Sequence, residues 1–281
     1  MPAIYGISSG WIVLALLGLY LFGALYVYAP LKIRRQQTKD LNVDFTPIEL
    51  PALPPDVSQA FYEGSRGLVT CGFHAIGHLT HHVGNTRQNA YVSIWINPSV
   101  CDAAQIIGVC TPSPVAHLRV VTLVTFRTEF KDGTAIVTTS SPSASSFPRD
   151  PRVSSIRCPG IRDFALLYRF HRARVDRDRA GRTPTLDRVQ DPLSRMELEH
   201  RETYERLVRA GYYWLDPTGQ KYVPTIMGAY LMTYRLLPPF KQIQKLNRDR
   251  LAERTLRELG FGGMEAFRRA QSPAALADIT F

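Results

Sequence analysis

At 281 residues, with 45% hydrophobic and 21% charged side chains, the chain is too apolar to be disordered and long enough to bury a substantial core. Its net charge of +10 points toward acidic partners, a membrane leaflet or nucleic acid, and by itself favours no fold. Four cysteines without a Cys-x-x-Cys pair exclude a disulfide scaffold.

The first element is apolar. No charged side chain occurs from Met1 to Leu31, and Trp11–Ala29 is 19 residues of nearly unbroken hydrophobic character. At about 1.5 Å per residue, a hydrocarbon core about 30 Å thick needs ~20 such residues. Residues 1–10 carry no Lys or Arg, unlike the positive leading region of a secretory signal, so an uncleaved anchor over 1–31 is expected. Lys32, Arg34, Arg35 and Lys39 all follow the apolar run. The cytoplasmic retention of such charges predicts a cell-membrane protein with its N-terminus outside and residues 32–281 in the cytoplasm. Cys71, Cys101, Cys110 and Cys158 are then expected as reduced thiols, at least three of them buried; a Cys101–Cys110 bridge would belong to the opposite orientation.

A basic flank and a spacer with four prolines cover 32–55. Asp56 reads as the N-cap of a helix over 56–70. The period then changes to two: Ala90–Ile96, Ala104–Cys110 and Leu118–Phe130 are rich in β-branched and aromatic residues. Asp132-Gly133 supplies a tight turn before a return strand at Thr134–Ser140. A Ser/Pro-rich loop leads to a short strand at 153–157. The expected domain over 56–160 is therefore an antiparallel sheet of about five strands with one covered face.

From Ile161 the pattern is helical. Phe164, Leu167, Phe170 and Val175 form a stripe, with Arg169, Arg172, Arg174, Arg177 and Arg179 as its charged surround. A helix over 192–210 closes at Gly211, and Asp216-Pro217-Thr218-Gly219 turns a small hairpin within 211–224. A helix over 226–237 follows. Helix, hairpin, helix in that order resembles the second half of a winged-helix domain, which implies nucleic-acid binding through the hairpin. A basic helix over 240–259 and a weakly structured tail complete an α+β chain whose second region is 161–281.

His74, His78, His81 and His82 lie within nine residues. On a strand, His74, His78 and His82 share a face but stand too far apart for one ion. On a helix, His74 and His78 stand one turn apart and a zinc site becomes reachable. Gly72 and Gly77 weaken that helix, so the expectation is no cofactor, with zinc on His74, His78 and His82 as the alternative. No Gly-x-Ser-x-Gly elbow, His-Glu-x-x-His pair or phosphate-cradling glycine loop occurs. Glu129 and Asp132 read as solvated turn carboxylates.

Residues 161–281 hold 22 Lys and Arg against 15 Asp and Glu. With an anchor in place, the nearest acidic surface is the inner leaflet. Lys241, Lys245, Arg248, Arg250, Arg254 and Arg257 are the expected contacts with anionic headgroups, ahead of nucleic acid. Three readings follow: a membrane-held, non-enzymatic binding or scaffold domain; a metal-dependent enzyme using the histidines; and a membrane-tethered nucleic-acid regulator.

Overall fold

The computed structural model describes residues 9–41, 45–82, 89–111, 119–142, 146–186 and 191–271. Leu118, at the head of one expected strand, and the last ten residues of the expected tail lie outside them. Among the described residues the structure is mixed α+β, 49% helical and 26% strand, as the change of period implies.

One long helix opens the described chain: α1 (Ser9–Phe22), a π-helical stretch over Gly23–Tyr28, and α2 (Ala29–Gln36) run on without a break. Short strands β1 (Lys39–Asp40) and β2 (Phe45–Pro47) precede α3 (Pro55–Val69). The spacer prolines set where α3 begins: Pro54 is the extended N-cap and Pro55 the first helical residue, so Asp56 lies in the first turn, beside the positive end of the helix. Strands β3 (His74–His82), β4 (Asn89–Asn97), β5 (Asp102–Thr111), β6 (Arg119–Phe130), β7 (Ala135–Thr139) and β8 (Val153–Arg157) lead to α4 (Phe164–Asp178). Then come β9 (Pro184–Thr185), α5 (Pro192–Arg209), β10 (Tyr213–Leu215), β11 (Lys221–Pro224), α6 (Ile226–Leu236), α7 (Phe240–Glu258) and α8 (Met264–Arg269).

These elements form two compact units. The larger comprises residues 42–144, 148–200 and 242–281 and holds an eight-stranded sheet in the order β2-β3-β4-β5-β6-β7-β8, with β9 against the hairpin end of β6. The five strands legible in the sequence are all present as β4 to β8. Neighbours are antiparallel except β7 and β8, which run parallel.

Both faces of the sheet are covered, where alternation along β6 had indicated one. Tyr91 and Trp95 of β4 pack with Val57, Phe61 and Leu68 of α3 and Phe164, Leu167 and Phe170 of α4. The alternate residues Val92 and Ile94 pack on the other side with Leu79, Leu193 and Met196, so the start of α5 lies on that face. The beginning of the expected tail is packed: Phe261 and the buried Phe267 meet edge to face and pack on Phe170. Burial of such rings explains why this short α8 holds, although its composition reads as loop.

The smaller unit comprises residues 1–41, 145–147 and 201–241. Its sheet is β1-β11-β10. The core joins Tyr204, Leu207, Tyr212, Tyr213, Tyr222 and Met232 with Ile33, Leu41 and Phe147. Tyr204 stacks on Tyr222 at 5.0 Å and meets Tyr213 edge-on at 5.1 Å. The helix–hairpin–helix order expected here is present, but the third strand is Lys39–Asp40 and the helix along α6 is α2.

Candidate functional site

The histidine segment is a strand, and its geometry separates the candidate ligands. Ala75 pairs with Trp95 and Gly77 with Ile94, leaving Ile76 as a bulge. One extra residue inverts the alternation of everything beyond it. His74, opposite Ile96, therefore belongs to the Val92/Ile94 face, and His78, opposite Ser93, to the Tyr91/Trp95 face. His74 is exposed. His78 is half-buried against Phe61 at 6.3 Å between rings, and burial holds its imidazole below the usual value. His82 pairs with Asn89 through the backbone; its side chain lies outside the described residues. Among the described residues no three His, Cys, Asp or Glu side chains group closely enough to hold a metal ion.

The largest concentration of buried polar chemistry lies instead under α4. Asp163 caps this helix, accepting from the Leu166 amide at 2.9 Å, and so fixes which residues face the sheet. Arg174, read from the sequence as part of the charged surround, is fully buried. Its guanidinium donates to the Val137 carbonyl and Thr138 Oγ1, both at 2.8 Å, and to Ser154 Oγ at 3.1 Å. Thr138 Oγ1 lies 2.9 Å from Nδ1 of buried His171, and Thr128 Oγ1 lies 3.0 Å from its Nε2. Thr128 also donates to Asp102 Oδ1, while Tyr168 donates to Oδ2 at 2.8 Å and Arg172 at 3.1 Å.

The two ends of this chain fix its protons. Asp102 accepts the Thr128 hydroxyl proton, so that oxygen receives the Nε2 proton of His171. Nδ1 is then bare and accepts from Thr138, whose oxygen receives a proton from Arg174. Donation runs in one direction from cation to carboxylate, through a neutral imidazole with its proton on Nε2. Burial, with Arg174 and Arg172 adding repulsion, holds His171 well below its ordinary value. Burial pushes the Asp102 carboxyl up against the opposite pull of Thr128, Arg172 and Tyr168. It also draws Arg174 down to about 10, which leaves it charged at neutral pH.

An acid, an imidazole and a hydroxyl in contact are the parts of a nucleophilic relay, but here the hydroxyl sits between the other two. Asp102, Thr128, Thr138 and His171 are all fully buried, so no substrate reaches the hydroxyls. The network pairs most of its buried polar atoms, Arg174 Nε excepted, and positions α4 on β5, β6 and β7. On the other face, Glu129 is not a free turn carboxylate: Arg127 lies at 2.6 Å and the buried Arg195 at 3.3 Å. Asp132 is the solvated one, accepting from the Thr134 amide and hydroxyl.

The basic residues of α7 divide. At about 100° per residue, Lys241, Lys245 and Arg248 lie on one side of the helix and Arg250, Arg254 and Arg257 on another. Arg254 pairs with Glu258 at 2.6 Å and Arg257 with Glu253 at 2.7 Å.

All four cysteines are free thiols, Cys110 and Cys158 buried and Cys71 and Cys101 half-buried. The expectation of at least three buried thiols therefore fails. Cys101 and Cys110 sit at opposite ends of β5, about 30 Å apart at strand rise, so no bridge joins them in either orientation.

The apolar helix Gly10–Gln36 spans 27 residues, and none of its most apolar window is buried. It is long and apolar enough to cross a membrane. The chain matches no protein-family model, no curated protein and no solved structure.

Proposed function

We propose that the protein is a single-pass membrane protein, N-terminus outside, whose α+β region is a non-enzymatic binding or scaffold module held at the cytoplasmic face of the cell membrane. The observation that carries this reading is the unburied apolar helix Gly10–Gln36; a core helix of a soluble protein would have its apolar side covered. A removable leader is a poorer reading, because the helix continues into α2, where Pro30 is buried and Arg34 donates to the Pro224 carbonyl at 3.2 Å. The Lys and Arg residues after the span, with none before it, support the inward orientation of the rest. The full burial of the polar network under α4 supports a binding rather than a catalytic role. Anionic headgroups are the proposed partners of the exposed Lys241 and Lys245, which share one side of α7.

Labelling intact cells with a membrane-impermeant maleimide tests the orientation. An Ala3→Cys variant should be labelled from outside, and the native thiols only after permeabilisation. Labelling of Cys71 and Cys101 in intact cells would overturn the topology, and release of the chain by alkaline carbonate would overturn the anchor.

A further inference from the structure

The smaller unit contains a helix with no polar side. Along α6, Gly228, Ala229, Met232 and Thr233 are buried. The opposite arc presents Ile226, Met227, Tyr230, Leu231 and Tyr234, with Ile226 63% and Met227 67% exposed. The one charged residue of the helix, Arg235, lies outside that arc and donates to the Phe147 carbonyl at 3.0 Å. A helix that is apolar all round belongs in a core or in lipid.

Its neighbour identifies which. α6 packs along α2, the direct continuation of the apolar helix. Tyr213 donates to the Gln37 carbonyl at 3.2 Å and the Leu41 amide to the Gln220 carbonyl at 2.7 Å, so α2 is fixed to the hairpin that leads into α6. α2 rises only about 12 Å over its eight residues. It starts where the apolar run ends and carries exposed Lys32 and Arg35. A helix packed against it stands at the depth of the headgroup layer, which is where tyrosines and apolar side chains flanked by cations are stable.

We propose that α6 is an interfacial membrane helix, with Ile226, Met227, Tyr230, Leu231 and Tyr234 seated in the lipid interface beside the point where the span leaves the bilayer. This rests on the span reading above. It makes the membrane contact of the smaller unit twofold: the crossing helix, and the exposed arc of a second helix packed on its inner end. Such a pair fixes the tilt of the unit on the leaflet, which a single helix followed by a spacer does not.

The test uses the full chain in lipid nanodiscs, with the native cysteines replaced by alanine and an environment-sensitive fluorophore placed singly through Leu17→Cys, Met227→Cys or Tyr62→Cys. Tyr62, 61% exposed on α3, is the aqueous reference. Nitroxides near the lipid headgroup should quench the Met227 site about threefold more than the Tyr62 site, as for a helix about 5–10 Å into the boundary. Quenching at Leu17 with none above the reference at Met227 would overturn the inference and leave the span intact. No quenching at Leu17 would overturn the span itself. A dry but unquenched Met227 site would mean that a protein surface, a second copy included, covers α6, and would also overturn the inference. Should the substituted background fail to fold, peroxide oxidation of the native chain reads the same surface: Met227, more exposed than half-buried Met196 and Met264, should oxidise more slowly than either in nanodiscs. Faster oxidation at Met227 would count against lipid contact.

Discussion

Gly228 lies so close to the backbone of Tyr212 that any side chain at this position would overlap the Tyr212 carbonyl. The contact locks the first turn of α6: Thr225 Oγ1 accepts from the Gly228 amide at 2.8 Å, and the Thr225 amide donates to the same Tyr212 carbonyl at 3.0 Å. Gly228→Ala cannot be absorbed by a flexible side chain, because the obstacle is main chain. It should destabilise the smaller unit by about 3 kcal/mol, read as a lower urea midpoint in detergent micelles. Gly133→Ala, at a positive φ but with open space around it, should cost about 1 kcal/mol.

The direction of donation under α4 makes the fold sensitive to mild acid. His171 is held neutral, below its value in the unfolded chain. Its contribution is therefore fully present above pH ~6.5 and is lost as pH falls from there toward the lowered folded value, at up to about 1.4 kcal/mol per pH unit. Asp102, with its folded value raised, contributes with the opposite sign between about pH 3.9 and that raised value. Stability should thus fall between pH ~6.5 and ~5 in the native chain, and the slope should flatten in His171→Gln. An equal slope in both chains would refute the assignment.

Asp102 accepts from three groups, so Asp102→Ala should cost about 3–5 kcal/mol by leaving the Tyr168 and Thr128 hydroxyls without this acceptor and Arg172 with Asp176 as its remaining carboxylate. Asp102→Asn, which keeps the shape but loses an acceptor, should cost about half as much. Denaturant titration of both variants checks the ranking.

How much of this was legible in sequence depends on the distance between partners. Asp132-Gly133 announces its hairpin because the turn chemistry is local. The core position of Phe164, Leu167 and Phe170 follows from helical spacing alone. Arg174 was read as surface because its partners Val137, Thr138 and Ser154 come from strands far earlier in the chain. The bulge at Ile76 has no residue signature either: it is set by pairing with β4 and by Pro192 closing on Gly77, where an added Cβ would stand 3.0 Å from the proline ring. The second covered face of the sheet was likewise invisible, since α5 supplies it from beyond residue 190.

Metal analysis should follow the same bulge. With His74 and His78 on opposite faces of one sheet, no single ion reaches both. Elemental analysis of chain purified without chelator or nickel should give well under one zinc per chain, unchanged by His78→Ala. Stoichiometric zinc lost in that variant would contradict the strand register.

The thiols divide by burial. Cys71 and Cys101 should react with a soluble disulfide reagent in the native chain, while Cys158, whose thiol burial pushes up to about 12, and Cys110 should react only after unfolding. Four fast thiols would indicate a looser core than the one described.

The smaller unit is assembled from segments far apart in the chain, chiefly residues 1–41 and 201–241, and this sets an order of events during synthesis. The apolar helix emerges first, yet Met232 and Tyr222, which cover Ile33, are not made until much later. At about 5–20 residues per second, the intervening stretch occupies the ribosome for on the order of 10 s. Through that interval the inner end of the apolar helix lacks these partners, while the sheet encoded between the two halves already has most of its strands. The last partner to arrive, α6, then completes a unit whose other half was made about 190 residues earlier.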